Sequence, residues 1–163
     1  NAQAVRPFIV TDAFGDMIIF LTGTGLTLPL ILEMIFTCKS ERIKAVGKTA
    51  LIPGIFNVNE PIIFGLPIVL NPVMLIPFVL SPVVCVSIAY FTMKVGIVPR
   101  PTGTPVPWTL PAPFGGWMMT GSWLGGALQI VLLVVSGVIY WPFIKMLDKQ
   151  YISEENDAKE NAE

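Results

Sequence analysis

"ALIPGIFNVNEPIIFGLPIVLNP", residues 50–72, decides how this chain is read. Its one carboxylate, Glu60, stands between asparagines and a proline in an otherwise apolar run. Pro53, Gly54, Pro61, Gly65, Pro67 and Pro72 follow one another too closely for an ordinary crossing helix, because each internal proline removes a backbone hydrogen bond and clashes with the preceding turn. Facing lipid, such a backbone would leave polar groups without partners. Non-helical backbone at membrane depth is tolerated where it is buried in protein or lines a watery cavity. The stretch therefore predicts a re-entrant helical hairpin that returns to the side it came from.

The flanking sequence supplies the membrane. Of the 163 residues, 53% are hydrophobic and 13% charged, with a mean hydropathy of +0.72, whereas soluble domains carry about 25% charged residues. Residues 61–93 and 101–144 hold no charge at all, and a crossing helix needs ~20 apolar residues. A net charge of −1 implies neither nucleic acid nor an acidic partner. With no histidine and only two cysteines, Cys38 and Cys85, the chain has no metal-ligand spacing, no phosphohistidine and no nucleotide loop. Both thiols read as structural, and no cofactor or metal is expected. Asn1 and Ala2 read as an expression scar or the cut end of a longer protein, with upstream sequence expected to be missing.

Outward from the hairpin, residues 16–38 ("DMIIFLTGTGLTLPLILEMIFTC") are expected to cross the membrane. Their glycines and threonines suit close helix packing, the commoner use of small residues in membranes, or hydroxyls presented to a cavity. "KSERIKAVGK", residues 39–48, carries four basic residues and one acid, the bias of a cytoplasmic loop. Residues 72–98 predict a further crossing, kinked by Pro77 and Pro82. Six prolines between positions 99 and 113 predict a shaped, extended loop, and Trp108 within it suggests packing onto something. Residues 117–144 predict the last crossing, closed by Tyr140, Trp141 and Phe143 beside Lys145 and Lys149, a cytoplasmic exit. The expected organisation is a partial membrane domain over residues 1–150, with about three crossings and the hairpin, and a disordered cytoplasmic tail over 151–163.

Between Glu41 and Asp148 the only acidic residue is Glu60, and a charge near the bilayer centre costs ~2.5–3.5 kcal/mol on insertion scales. Pro61 favours the first helical position, so Asn59 or Glu60 could simply cap a helix. A cap needs no carboxylate, however, and Asn57 and Asn59 already stand nearby. Carboxylate and amide groups pair with hydroxyls, and an aromatic face stacks on the C–H side of a pyranose. Asn57, Asn59, Glu60 and Trp108 are therefore the candidate substrate-binding residues, with sugar favoured over a cation and no catalytic residue assigned.

The segment "ALIPGIFNVNEPIIFGLPIVLNP" resembles the signature of enzyme IIC of the lactose/cellobiose/chitobiose branch of the bacterial sugar phosphotransferase system. "TGTGLTLPLIL" resembles that family's glycine-rich helix, "VPWT" a loop after the following crossing, and "YWPFIKMLDKQ" its C-terminal exit. The resemblance covers residues 7–150 and implies an all-α integral membrane fold, the C-terminal transport domain of an enzyme IIC, in the bacterial inner membrane with a cytoplasmic C-terminus. It implies a β-linked disaccharide held by Glu60 at the hairpin tip with Asn59 beside it, and Trp108 packed on the sugar. It also implies a cytosolic enzyme IIB that donates phosphate from a phosphocysteine, lipid around the helices, and a homodimer made by upstream helices. A family histidine would lie upstream, so no complete catalytic site is expected here. Two other readings stand beside this one: a proton- or ion-coupled secondary transporter in which Glu60 titrates, and a structural membrane subunit in which Glu60 caps and Trp108 packs.

Overall fold

The computed structural model describes residues 9–10, 14–15, 21–103 and 105–160, and among these the only regular elements are helices. They are α1 (Leu28–Phe36), α2 (Glu41–Ile55), α3 (Glu60–Gly65), a 3-10 turn at Ile68–Leu70, α4 (Pro72–Val95), α5 (Phe114–Thr120) and α6 (Trp123–Glu160).

Local chemistry sets the bounds of α4. The Asn71 side chain accepts the Val73 N–H at 3.0 Å, and Pro72 sits at the start, where a missing N–H costs nothing. Gly96 ends the helix in the left-handed region at φ 86°. The most apolar stretch of α4 is only 28% buried, and that of α6 only 33%. A core helix of a soluble protein would be mostly covered, so outward residues such as Val79, Val83 and Phe91 are suited to lipid. The 38 residues of α6 span about 57 Å at ~1.5 Å per residue, nearly twice a ~30 Å hydrocarbon core. One end of α6 must therefore stand in water.

A helical hairpin is present, with a first arm longer than expected, because α2 begins at Glu41 within the stretch read as a loop. Its arms, α2 and α3, are joined by a turn at residues 56–59 and border one groove through Ala45, Val46 and Thr49 on one side and Pro61 and Gly65 on the other. Gly65 comes back beside Val46, so the chain returns toward the end from which α2 set out.

Three further expectations are corrected. Residues 16–38 do not form one crossing helix: residues 16–20 lie outside the described residues, residues 21–26 are turns, and α1 is 9 residues long. The reason is a run of left-handed backbone at Thr22, Gly23, Gly25 and Leu26, with polar groups of this turn bonded by side chains of the hairpin tip and of α6. The last crossing begins at Trp123 rather than 117, because residues 117–120 belong to α5, which stops at Gly121 with φ 65°. The Gly116 N–H of α5 donates to Gln129 Oε1 of α6 at 2.8 Å. Finally, residues 151–160 are helix, not a disordered tail. Tyr151 is buried with the Arg42 guanidinium 4.8 Å from its ring centre, and Glu155 accepts hydrogen bonds from Ser40 and Arg42. Residues 161–163 lie outside the described residues.

α6 joins two packed clusters. Leu30, Ile31 and Met34 of α1 meet Ile43 of α2 and Tyr140 and Ile144 of α6. Farther toward its start, α6 packs Leu128 and Leu132 with Cys85, Ala89 and Met93 of α4. Lipid is as apolar as leucine, so apolar burial alone gives membrane helices little reason to associate; close packing and interhelical hydrogen bonds matter more. Ser81 Oγ donates to Ser136 Oγ at 2.7 Å, linking α4 to α6. Cys38 and Cys85 are free and buried.

Candidate functional site

The hairpin tip faces a cleft of about 490 Å³ lined by Gly23, Thr24, Asn57, Asn59, Glu60, Val106, Pro107 and Trp108. All four candidate residues named from the sequence meet there, although Trp108 is separated from Glu60 by the whole of α4. The structure divides them by what their polar atoms already hold.

Asn57 is 7% exposed and in the left-handed region at φ 66°, a conformation that asparagine tolerates better than most residues. Its Oδ1 accepts the Thr22 N–H at 2.8 Å, and its Nδ2 donates to the carbonyls of Trp108 and, at 3.1 Å, Leu110. Both amide donors are thereby used. Asn57 thus clasps three segments: the 22–26 turn, the hairpin tip and the proline-rich loop. Asn59 is 6% exposed and donates from Nδ2 to the Thr24 carbonyl. It is the N-cap residue of α3, yet its side chain makes no capping bond.

Glu60 and Trp108 are different. Glu60 is exposed at the first position of α3 and makes no hydrogen bond or ion pair with any described residue; the ion pair found among them is Lys44 with Glu41. Trp108 is 56% exposed, tethered through its backbone carbonyl while its indole borders the cleft. The arrangement offers a free carboxylate to hydroxyl donors and an aromatic wall to an apolar face, in a cleft of the size small-molecule ligands occupy, ~300–1,000 Å³.

Sequence reasoning did not list Gly23, Thr24, Val106 and Pro107. The signal for the first two was the alternation Thr-Gly-Thr-Gly, read mainly as a packing surface. Gly23 has φ 78°, and a Cβ there would stand 2.7 Å from Asn59 Cγ, so the turn needs glycine to lie against the hairpin tip. Thr24 is exposed in the cleft.

Residues 1–82 match the family described as "Phosphotransferase system, EIIC". The chain belongs to the phosphotransferase system EIIC family. Over 156 residues it is 46% identical to the PTS system cellobiose-specific EIIC component of Geobacillus stearothermophilus, covering 95% of this chain and 35% of that protein. Over 155 residues it is 43% identical to the PTS system lactose-specific EIICB component of Staphylococcus aureus (strain N315), covering 94% of this chain and 27% of that protein. The fold matches the crystal structure of the transporter ChbC, the IIC component from the N,N'-diacetylchitobiose-specific phosphotransferase system, with a TM-score of 0.89 and 44% identity over 92% of this chain and 35% of that one. The chain thus spans about a third of the length of these EIIC relatives. EIIC membership and two long apolar helices make it membrane protein sequence.

Proposed function

We propose that this chain forms the sugar-gripping part of a phosphotransferase-system permease that takes a β-linked disaccharide of the cellobiose, lactose or diacetylchitobiose type. The observation that carries the reading is the unpaired Glu60 carboxylate sharing one cleft with the half-exposed Trp108 indole. Glu60 accepts sugar hydroxyls, and Trp108 lies against the C–H face of a pyranose. Asn59 and Asn57 hold the walls, and Asn57 meets ligand only through the second lone pair of its Oδ1. A hairpin tip that lines a polar cavity is a recurring way for transporters to bind substrate at the midplane and expose it alternately to either side.

The basic stretch at residues 39–48, which opens α2, and the exit of α6 meet at one end of the molecule, where Asp148 accepts the Lys39 and Ser40 N–H groups. The positive-inside rule makes that end cytoplasmic, so the C-terminus lies inside and the hairpin enters from the cytoplasm. A cytosolic IIB protein would approach there to phosphorylate the delivered sugar, and the EIICB designation of the lactose relative supports that partner. Family membership favours this reading over a proton- or ion-coupled carrier with Glu60 as the titrating group.

Calorimetric titration of the transporter that carries this chain against cellobiose, lactose and diacetylchitobiose tests the proposal, with Glu60→Gln as the variant. Binding of at least one disaccharide, weakened by the substitution, is expected. Affinity and uptake untouched by Glu60→Gln would sink the assignment.

A further inference from the structure

The cleft has one wall whose shape is imposed from behind. Thr22, Gly23, Gly25 and Leu26 all have positive φ, and two of them are not glycine: Thr22 at 63° and Leu26 at 52°. A β-branched threonine there is a steric outlier, and such residues persist only where the surroundings over-determine them. Besides the neighbouring Thr27, whose hydroxyl donates to the Thr22 carbonyl at 3.3 Å, four side chains from distant parts of the sequence bind the backbone of this turn. From the cleft side, Asn57 accepts the Thr22 N–H and Asn59 donates to the Thr24 carbonyl. From the opposite side come two residues of α6 that do not border the cleft. The Tyr140 hydroxyl donates to the Gly25 carbonyl at 2.7 Å, and Ser136 Oγ donates to the Leu26 carbonyl at 2.9 Å. Tyr140, Ser136 and Ser81, which donates to Ser136, are all 0% exposed.

Between the two pinned carbonyls and the Asn59 bond sits Thr24, the exposed member of the turn. Its carbonyl is taken by Asn59, while its hydroxyl makes no hydrogen bond with any described residue. We propose that Tyr140 and Ser136 are positioning residues for sugar binding: by holding the Gly25 and Leu26 carbonyls from α6, they fix the turn that presents the Thr24 hydroxyl to the ligand. This rests on the reading of the cleft as a sugar site. It also makes α6, whose far end reaches the cytoplasmic surface, a rigid support of the substrate wall.

Without Tyr140 Oη or Ser136 Oγ, a buried carbonyl loses its donor and the left-handed turn loses one of the contacts that hold it. In the intact transporter, Tyr140→Phe and Ser136→Ala are each expected to raise the disaccharide Kd and the KM for phosphorylating uptake about five- to tenfold, the scale of one hydrogen bond. The kcat at saturating sugar is expected to stay within about twofold. Ser81→Ala removes a hydroxyl from the same buried chain without touching the turn, so it should lower thermal stability and leave the Kd in place. A purely structural role predicts the reverse for Tyr140→Phe and Ser136→Ala: less folded protein, with unchanged Kd per folded molecule, and that result overturns the proposal.

A second measurement needs no sugar. With Thr24→Cys as a reporter, the maleimide labelling rate is expected to change several-fold when Tyr140→Phe is added, because the turn re-orients. An unchanged rate overturns the positioning role. Failure of the unsubstituted transporter to bind any of the three disaccharides, with the labelling change still present, instead defeats the sugar reading of the cleft.

Discussion

Two helix starts in this molecule carry carboxylates, and they use them in opposite ways. At the start of α2, Asp148 reaches over from α6, 4% exposed, and accepts the Lys39 and Ser40 N–H groups at 2.9 Å each. Glu155, two turns farther along α6, accepts from Ser40 Oγ at 2.6 Å and from the Arg42 N–H at 3.2 Å. The exposed N–H groups of a helix start and its positive dipole end are thereby answered by negative charge. At the start of α3, Glu60 is adjacent to the same kind of N–H groups, yet none is bonded to it and the cleft is open before it. Position at a helix N-terminus therefore does not make a carboxylate a cap. The α2 start is closed by its acids, and the α3 start leaves its acid available.

The contrast breaks most sharply at Glu60. Glu60→Gln replaces a charged acceptor by a neutral one, and hydrogen bonds to charged groups are worth ~1.5–3 kcal/mol, so disaccharide affinity should fall about 10- to 100-fold. Thermal unfolding of the detergent-solubilised protein should hardly move, since Glu60 has no hydrogen-bond or ion-pair partner among the described residues. Asp148→Ala is the converse. It strips acceptors from a buried N–H at Ser40 and a partly buried one at Lys39 and should cost about 2–3 kcal/mol of stability, seen as a lowered unfolding midpoint, while the affinity of the folded fraction stays within about twofold. If both substitutions lowered stability and neither altered affinity, the two helix starts would be alike after all.

How much of this was legible depended on how far away the deciding partner lay. The bounds of α4 follow from Asn71-Pro72 and Gly96, all local. The hairpin followed from its own prolines and glycines, and the polarity of its tip from Asn57, Asn59 and Glu60 in one short run. The failure at residues 21–26 has the opposite cause. Leu21, Leu26, Leu28 and Leu30 look like a helix by composition, but the bonds that hold the turn come from Asn57, 35 residues away, and Tyr140, 115 residues away. The tail was misread for the same reason. "SEENDAKENAE" is polar enough to look disordered, but Ser40 and Arg42, folded back against α6, give Glu155 and Tyr151 something to hold. Which of the four candidate residues spend their polar atoms on the fold and which keep them open to the cleft was equally illegible, because asparagine suits both roles until its hydrogen bonds are placed.

Trp108 sharpens the comparison from the other wall of the cleft. Its backbone carbonyl is held by Asn57 whatever its side chain is, so Trp108→Leu should leave the loop in place and remove only the aromatic surface. Aromatic contacts of this kind contribute ~0.5–1.5 kcal/mol beyond area, so a three- to tenfold loss of disaccharide affinity is expected, about that conversion. Intrinsic tryptophan fluorescence that responds to sugar in the parent protein should lose most of its response. An undiminished affinity would make Trp108 a packing residue and leave Glu60 to grip alone.

The smallest effect should come from Glu155→Gln. The glutamine carbonyl can still accept from Ser40 Oγ and the Arg42 N–H, so the geometry at the start of α2 survives and only the charge is lost. A charge near a helix N-terminus is worth ~0.3–1 kcal/mol at partial exposure, and the drop in stability should be of that order. Because this contribution is electrostatic and half exposed, added salt should shrink the difference between the parent and the variant. The same experiment on Asp148→Asn should show a larger and less salt-sensitive loss, since Asp148 is buried and screened little. Equal salt dependence for the two would mean that the α2 start is held by long-range charge rather than by the specific bonds to Lys39, Ser40 and Arg42, and the distinction from the open start at Glu60 would then rest on solvent exposure alone.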